Sequence, residues 1–109
     1  MYKFQAKIII YDVEYPVIKG KQFIVYTFSN KIAGIIYSLD KLLDMKTDKE
    51  LNDGKRPKKL IKNNYALVTI KVEEKICLEK FDNNKSMGRI ALRDGDQTIG
   101  SGVVTTLLS

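Results

Sequence analysis

The 109-residue chain contains no histidine and a single cysteine, Cys77. Without histidine the commonest general base near neutral pH is missing, which argues against acid–base enzymology. One cysteine cannot close an internal disulfide, so a reducing, cytoplasmic compartment is expected. Cys77 sits in the apolar run Ile76-Cys77-Leu78 and reads as a buried structural thiol rather than a nucleophile. No apolar run approaches the ~20 residues that a membrane-spanning helix needs. Met1-Tyr2-Lys3 leads straight into an alternating segment, without a signal-peptide pattern. The Gly-x-x-x-x-Gly-Lys-Ser/Thr loop that cradles nucleotide phosphates is also missing. Asp94 and Asp96 flank a glycine, but turn chemistry accounts for them, and a metal would need more oxygen ligands. The absences point away from an enzyme: no catalytic, cofactor-binding or metal residues are expected. A binding module remains.

What is present is an ordinary globular balance, 44% hydrophobic and 29% charged residues, enough for one domain over residues 1–109 with one core. The formal charge is +6 and the isoelectric point is near 9.4. Such a charge favours an acidic partner, RNA or an acidic protein face, or reflects a lysine-rich composition that merely keeps the domain in solution. Charge alone does not decide.

Hydrophobic patterning is that of strands. Over Lys3–Tyr11, Phe4, Ala6, Ile8 and Ile10 share one face and Lys3, Gln5 and Lys7 the other, the period of two of a half-buried strand. Pro16 and Gly20 punctuate a loop, after which Gln22–Phe28 resumes a β-branched and aromatic run. Ile32–Met45 fits two templates. Ile36, Leu39 and Leu43 fit a helical face, while Ala33, Ile35, Tyr37, Leu39, Leu43 and Met45 fit an alternation broken only at Lys41. The missing N-cap and the internal Gly34 favour a long strand. Lys46–Asn64 carries seven Lys/Arg against three acids and is expected to run over the surface, unable to bury itself. Ala66, Val68, Ile70 and Val72 alternate again; Glu73-Glu74-Lys75 reads as a turn, Ile76–Phe81 as a strand pairing back, and Asp82–Lys85 as a polar link. Six or seven strands with polar turns and no convincing helix imply an antiparallel sandwich or barrel. Closure into a barrel would remove the exposed edges.

The end of the chain, MGRIALRDGDQTIGSGVV, reads as a hairpin turning at Asp94-Gly95, where glycine supplies positive φ without a Cβ penalty. Ile90 and Leu92 are expected inward, leaving Arg89, Ala91 and Arg93 outward. In the second strand Ile99 and Val103 are assigned to one face and Thr98, Gly100, Gly102 and Val104 to the other. Paired glycines imply a bend or a closely approaching backbone; barrel curvature accounts for them better than a ligand does. The arginines suit either a solvated face or a docking surface.

This segment resembles the closing hairpin of the third domain of elongation factor Tu-type translational GTPases. The resemblance runs over nearly the whole chain. KFQAKIIIYDVEYPVIKGKQFIVY is similar to that domain's opening strands, DGKRPKKLIKNNYALVTI to its basic loop and next strand, and KICLEKF to the strand before the hairpin. It implies an all-β, six-stranded antiparallel closed barrel. It further implies the C-terminal domain of a longer translational GTPase, whose separate G domain would hold GTP and magnesium. Within the family the chain most resembles the eukaryotic branch, which includes elongation factor 1 alpha, the release-factor GTPase and the ribosome-rescue GTPase that carries Pelota. VEYPVIKGKQ and GSGVVT look most like the rescue GTPase, and MGR with Arg93-Asp94-Gly95 equally like the release-factor GTPase. After Pro57-Lys58, where the family usually has an aromatic, this chain has Lys59.

The implied role is to dock a tRNA-mimicking protein, Pelota or a class-1 release factor, on the ribosome in the cytoplasm. Arg89 and Arg93 are the candidate contacts, with Lys55, Arg56, Lys58 and Lys59 as a secondary basic patch. The alternatives are aminoacyl-tRNA binding by an elongation factor 1 alpha relative, and a free-standing basic RNA-binding barrel. Base stacking favours aromatics gathered on one face, whereas here they are scattered along the chain.

Overall fold

The computed structural model describes residues 2–11, 13, 15–27, 31–47, 49–51, 57–73 and 88–107. Its strands follow the apolar runs: β1 is Tyr2–Ile10, β2 Gln22–Tyr26, β3 Lys31–Leu43, β4 Tyr65–Val72, β5 Arg89–Asp94 and β6 Gln97–Leu107. They form a closed barrel in the order β1-β4-β3-β2-β5-β6. Every pairing is antiparallel, and β6 returns to β1 to shut the seam. The expected architecture is therefore present, and among the described strands none leaves a free edge for another chain to pair with. Boundaries shift slightly: β1 ends at Ile10 rather than Tyr11, β2 at Tyr26, β3 at Leu43 rather than Met45. Phe28, the Ile76–Phe81 strand with Cys77, and the Asp82–Lys85 link lie outside the described residues, as do Glu74 and Lys75 of the expected turn.

Period-two alternation holds cleanly in β1 and β4. Phe4, Ala6 and Ile8 face Ile70, Val68 and Ala66 across the ladder, and all six are at most 2% exposed. Full burial of one such aliphatic side chain contributes about 1.5–3 kcal/mol. These two strands are the spine of the core.

In β3 the strand assignment holds but the predicted face does not. Gly34, Ile36, Leu39 and Leu43 point inward, while Ala33, Ile35 and Tyr37 do not. The register slips between Ile36 and Ser38 and again between Leu39 and Lys41. Each slip is a bulge, an extra residue that turns the following side chains to the opposite face. Core positions spaced two, three and four residues apart imitate a helix, which explains why this segment fitted two templates.

The polar excursion between β3 and β4 does not simply cross the surface. Leu60 is fully buried. It is clamped to Val17, also buried, by reciprocal backbone hydrogen bonds: the Val17 amide donates to the Leu60 carbonyl at 2.8 Å and the Leu60 amide to the Val17 carbonyl at 2.7 Å. The Asn63 amide donates to the Ile10 carbonyl at 2.8 Å. One leucine thus pins a basic loop whose neighbours Ile61 and Leu51 stay exposed.

The hairpin also departs from strict alternation. Leu92 pairs with Gly100 and Arg93 with Thr98, so Ile99 is an extra residue in β6. The phase flips there: Gly100, Gly102 and Val104 take the core face opposite Ile10, Ile8 and Ala6. Val104 is fully buried and Val103 is not, while Ile99, grouped with Val103 by sequence parity, is buried as well. Only Gly95 of the turn has positive φ, at 61°. Asp94 ends β5, leaving a two-residue Gly95-Asp96 connection with glycine at its first position, as a type II′ hairpin requires. A Cβ on Gly100 would lie 2.7 Å from the Ile9 carbonyl oxygen, and one on Gly102 only 2.0 Å from that of Lys7. The glycines let β1 and β6 close the seam, as curvature demands.

Candidate functional site

Arg93 projects from the last turn of the outward face of β5, beside β2. Its Nη2 donates to the Asp96 carbonyl at 3.0 Å, and its guanidinium lies 5.6 Å from the Tyr26 ring centroid. Together these hold the side chain along the barrel wall, and its Nε is shielded from solvent with no hydrogen-bond partner. A shielded N–H without an acceptor costs about 1–3 kcal/mol, a local penalty that the bond to Asp96 and the Tyr26 contact offset.

Arg93 lines a groove of about 620 Å³. Ile24, Ala33 and Ile35 form its apolar floor, Gln22, Lys71 and Glu73 stand on its sides, and Asp94-Gly95 closes one end. Lys21 grips Asp94 at 2.6 Å, tying the β2 approach to the hairpin tip. The floor exists because of the first β3 bulge and the ladder before it: Ala33 and Ile35, grouped by sequence with Leu39 and Leu43 in one alternation, are half-buried on the outside while those two leucines face the core. The readable signal was that β2 and β3 are apolar on both faces, and an outward apolar strip marks a surface that something covers.

Arg89 lies elsewhere. It is exposed at the start of β5 opposite Val103 and lines a second hollow of about 450 Å³ with Lys7, Ile9, Met45, Tyr65 and Ser101. The two arginines therefore serve different hollows rather than one paired site. Lys58 and Lys59 are exposed, immediately before the Leu60 anchor, and line neither hollow. Lys55 and Arg56 lie outside the described residues. Among the described residues no cluster of His, Cys, Asp or Glu could hold a metal, and no helix is long and apolar enough to cross a membrane.

Residues 3–105 match the family described as GTP-eEF1A C-terminal domain-like. The chain belongs to that family. Protein HBS1 of Drosophila melanogaster is 30% identical over 105 residues, 96% of this chain and 15% of the relative. Elongation factor 1-alpha of Sulfurisphaera tokodaii is 33% identical over 102 residues, 94% of this chain and 23% of the relative. A solved structure of Sup35 complexed with GDP superposes with a TM-score of 0.91 at 24% identity, covering the whole of this chain and 26% of that one. That likeness establishes the fold. The chain spans about a quarter or less of the length of these proteins, and it corresponds to the C-terminal barrel of the translational GTPase family.

Proposed function

We propose that this barrel is the partner-docking domain of a longer translational GTPase and holds a tRNA-mimicking protein, a Pelota-like factor or a class-1 release factor. The reading belongs to the cytoplasm, with the ribosome as its setting and with GTP and magnesium held by the parent's G domain. The observation that carries it is Arg93 on the rim of a groove with an apolar floor of Ile24, Ala33 and Ile35. A partner's carboxylate would pair with the guanidinium, and burial of Ile24 and Ile35 would supply the apolar contact. Interfaces are anchored in this way, by arginine set in a desolvated pocket. Arg89 contributes through its separate hollow, and Lys55, Arg56, Lys58 and Lys59 act as peripheral charges that speed encounter. The likeness to HBS1 supports a rescue-type parent. The likeness to elongation factor 1-alpha supports the second reading, a domain that binds aminoacyl-tRNA.

Titration calorimetry with a Pelota-like protein, a class-1 release factor and an aminoacyl-tRNA separates the two. Arg93→Glu is expected to weaken protein docking by about 30-fold or more, since truncating an anchoring arginine costs ~2 kcal/mol and charge reversal adds repulsion. Undiminished binding of both proteins by this variant refutes the groove. Tight binding of aminoacyl-tRNA alone favours the second reading.

A further inference from the structure

The groove at Arg93 carries opposite charges at the two ends of one row across the barrel wall. Arg93 pairs with Ile24, and Ile24 with Ala33. The Glu73 amide then donates to the Ala33 carbonyl at 3.2 Å. Gly34 and Val72 are partners one step along the same ladder, so Glu73 stands opposite Ala33 in register. Neighbouring strands lie about 4.8 Å apart, which sets the backbones of Arg93 and Glu73 about 14 Å apart with two apolar residues between them. All four residues line the groove. A cation stands at one end of the row and a carboxylate at the other.

The other charges nearby are already engaged. Asp94 is held by Lys21 at 2.6 Å. Lys71, the next outward residue of β4, lies opposite Ile35, and its Nζ is 5.9 Å from the centroid of the Tyr37 ring. Tyr37 is two residues further along β3, so this lysine leans away from Ala33 and Glu73. Glu73 is exposed and has no ion-pair partner among the described residues. Its backbone is fixed by the bond to Ala33, while its charge is uncommitted.

Resting on the docking reading above, we propose that Glu73 is the specificity residue of the groove. It pairs with a cation of the protein partner and turns away the phosphodiester backbone of a nucleic acid. The segment that fits presents a carboxylate to Arg93, an apolar side chain to Ile24 and Ala33, and a lysine or arginine to Glu73. Such a row also sets direction, because a segment entering the other way round meets like charge at both ends. A nucleic-acid backbone carries negative charge alone: with one phosphate on Arg93, those further along the row face Glu73. Discrimination thus comes from repulsion of the wrong partner as well as attraction of the right one.

The test uses Glu73→Lys and Glu73→Gln in the 109-residue chain. Each is titrated against a Pelota-like protein and a class-1 release factor, and against a labelled RNA stem-loop by fluorescence anisotropy at several salt concentrations. Glu73→Lys is expected to weaken protein docking at least ~10-fold, since it sets two cations against each other. It should tighten RNA binding by ~3-fold or more at low salt and steepen the log–log salt slope by about 0.9, one added phosphate contact on a duplex stem. Glu73→Gln should weaken docking by less and leave the slope unchanged, having no cation to add. Both should melt like the parent, because the side chain is exposed and its amide is untouched. Glu50→Lys makes the same change in net charge outside the groove and should alter neither docking nor the slope. Equal effects of Glu50→Lys and Glu73→Lys would reduce the result to net charge and overturn the assignment. So would undiminished protein docking, or unchanged RNA binding, by Glu73→Lys. Arg93→Glu reports separately on the docking reading. Where it weakens docking and Glu73→Lys does not, the assignment of Glu73 alone is overturned; where it leaves docking intact, the groove and this assignment fall together.

Discussion

The closing hairpin contains two kinds of unusual residue, and the fold treats them oppositely. Gly100 and Gly102 are wholly consumed by structure: any Cβ there would collide with the backbone of β1. Arg93, directly across the hairpin from Thr98, is only partly used, with one nitrogen bonded to Asp96 and another shielded and unpaired. The glycines are fixed by backbone contact alone, whereas the Arg93 side chain is held by one hydrogen bond and one ring contact and still lines an open groove.

That contrast can be broken at its structural end first. Gly102→Val should be the most damaging change, since a Cβ 2.0 Å from the Lys7 carbonyl and 2.8 Å from the Ile8 Cα forces the seam apart. A loss above ~3 kcal/mol or failure to fold is expected, beyond ordinary overpacking. Denaturant unfolding with a midpoint like that of the parent would show that the seam is looser than described. Leu60→Ala should cost about 2–5 kcal/mol, whereas Ile61→Ala, one residue away and exposed, should stay within about 0.5 kcal/mol. Equal midpoints for these two would mean that the loop is not anchored. Gly95→Val forces a β-branched residue to a φ of 61° and should lower stability by about 1–3 kcal/mol; an unchanged melting temperature would argue for another turn geometry. Within the hairpin the smallest effect on stability is that of Arg93→Glu, expected at about 1 kcal/mol or less. Its effect should fall on protein docking instead, and a large loss of melting temperature would place Arg93 with the glycines as a structural residue.

The contrast extends to β3, where the same irregularity shapes the outer surface. Ala33 and Ile35 become the floor of the groove, and Tyr37, the bulged residue itself, lies close to Lys3 and to Lys71, which also lines the groove. The outer surface here depends on where one strand slips.

Period-two patterning was sufficient where nothing interrupts it. Phe4, Ala6, Ile8 and Ile10, and Ala66, Val68, Ile70 and Val72, were legible as core because a regular strand converts sequence parity directly into face. The strands, the hairpin, the absence of catalytic and metal chemistry among the expectations, and the family resemblance all came from such local pattern. The bulges at Tyr37, beyond Leu39 and at Ile99 were not legible, because an extra residue is defined only against the partner strand it fails to match. They separated Ile35 from Leu39 and Val103 from Ile99, pairs that sequence parity had grouped on one face. Leu60 was hidden by its lysine-rich setting, since burial depended on Val17 arriving from more than forty positions away in the chain. The separation of Arg89 from Arg93 was equally a tertiary matter: parity puts them on one face of β5, and both pair with β6, but β2 lies beside Arg93 alone. Local sequence determined which segments extend and which way a regular strand points. Closure of the barrel, through register and the strain it places on each seam, decided which outward residues share a hollow.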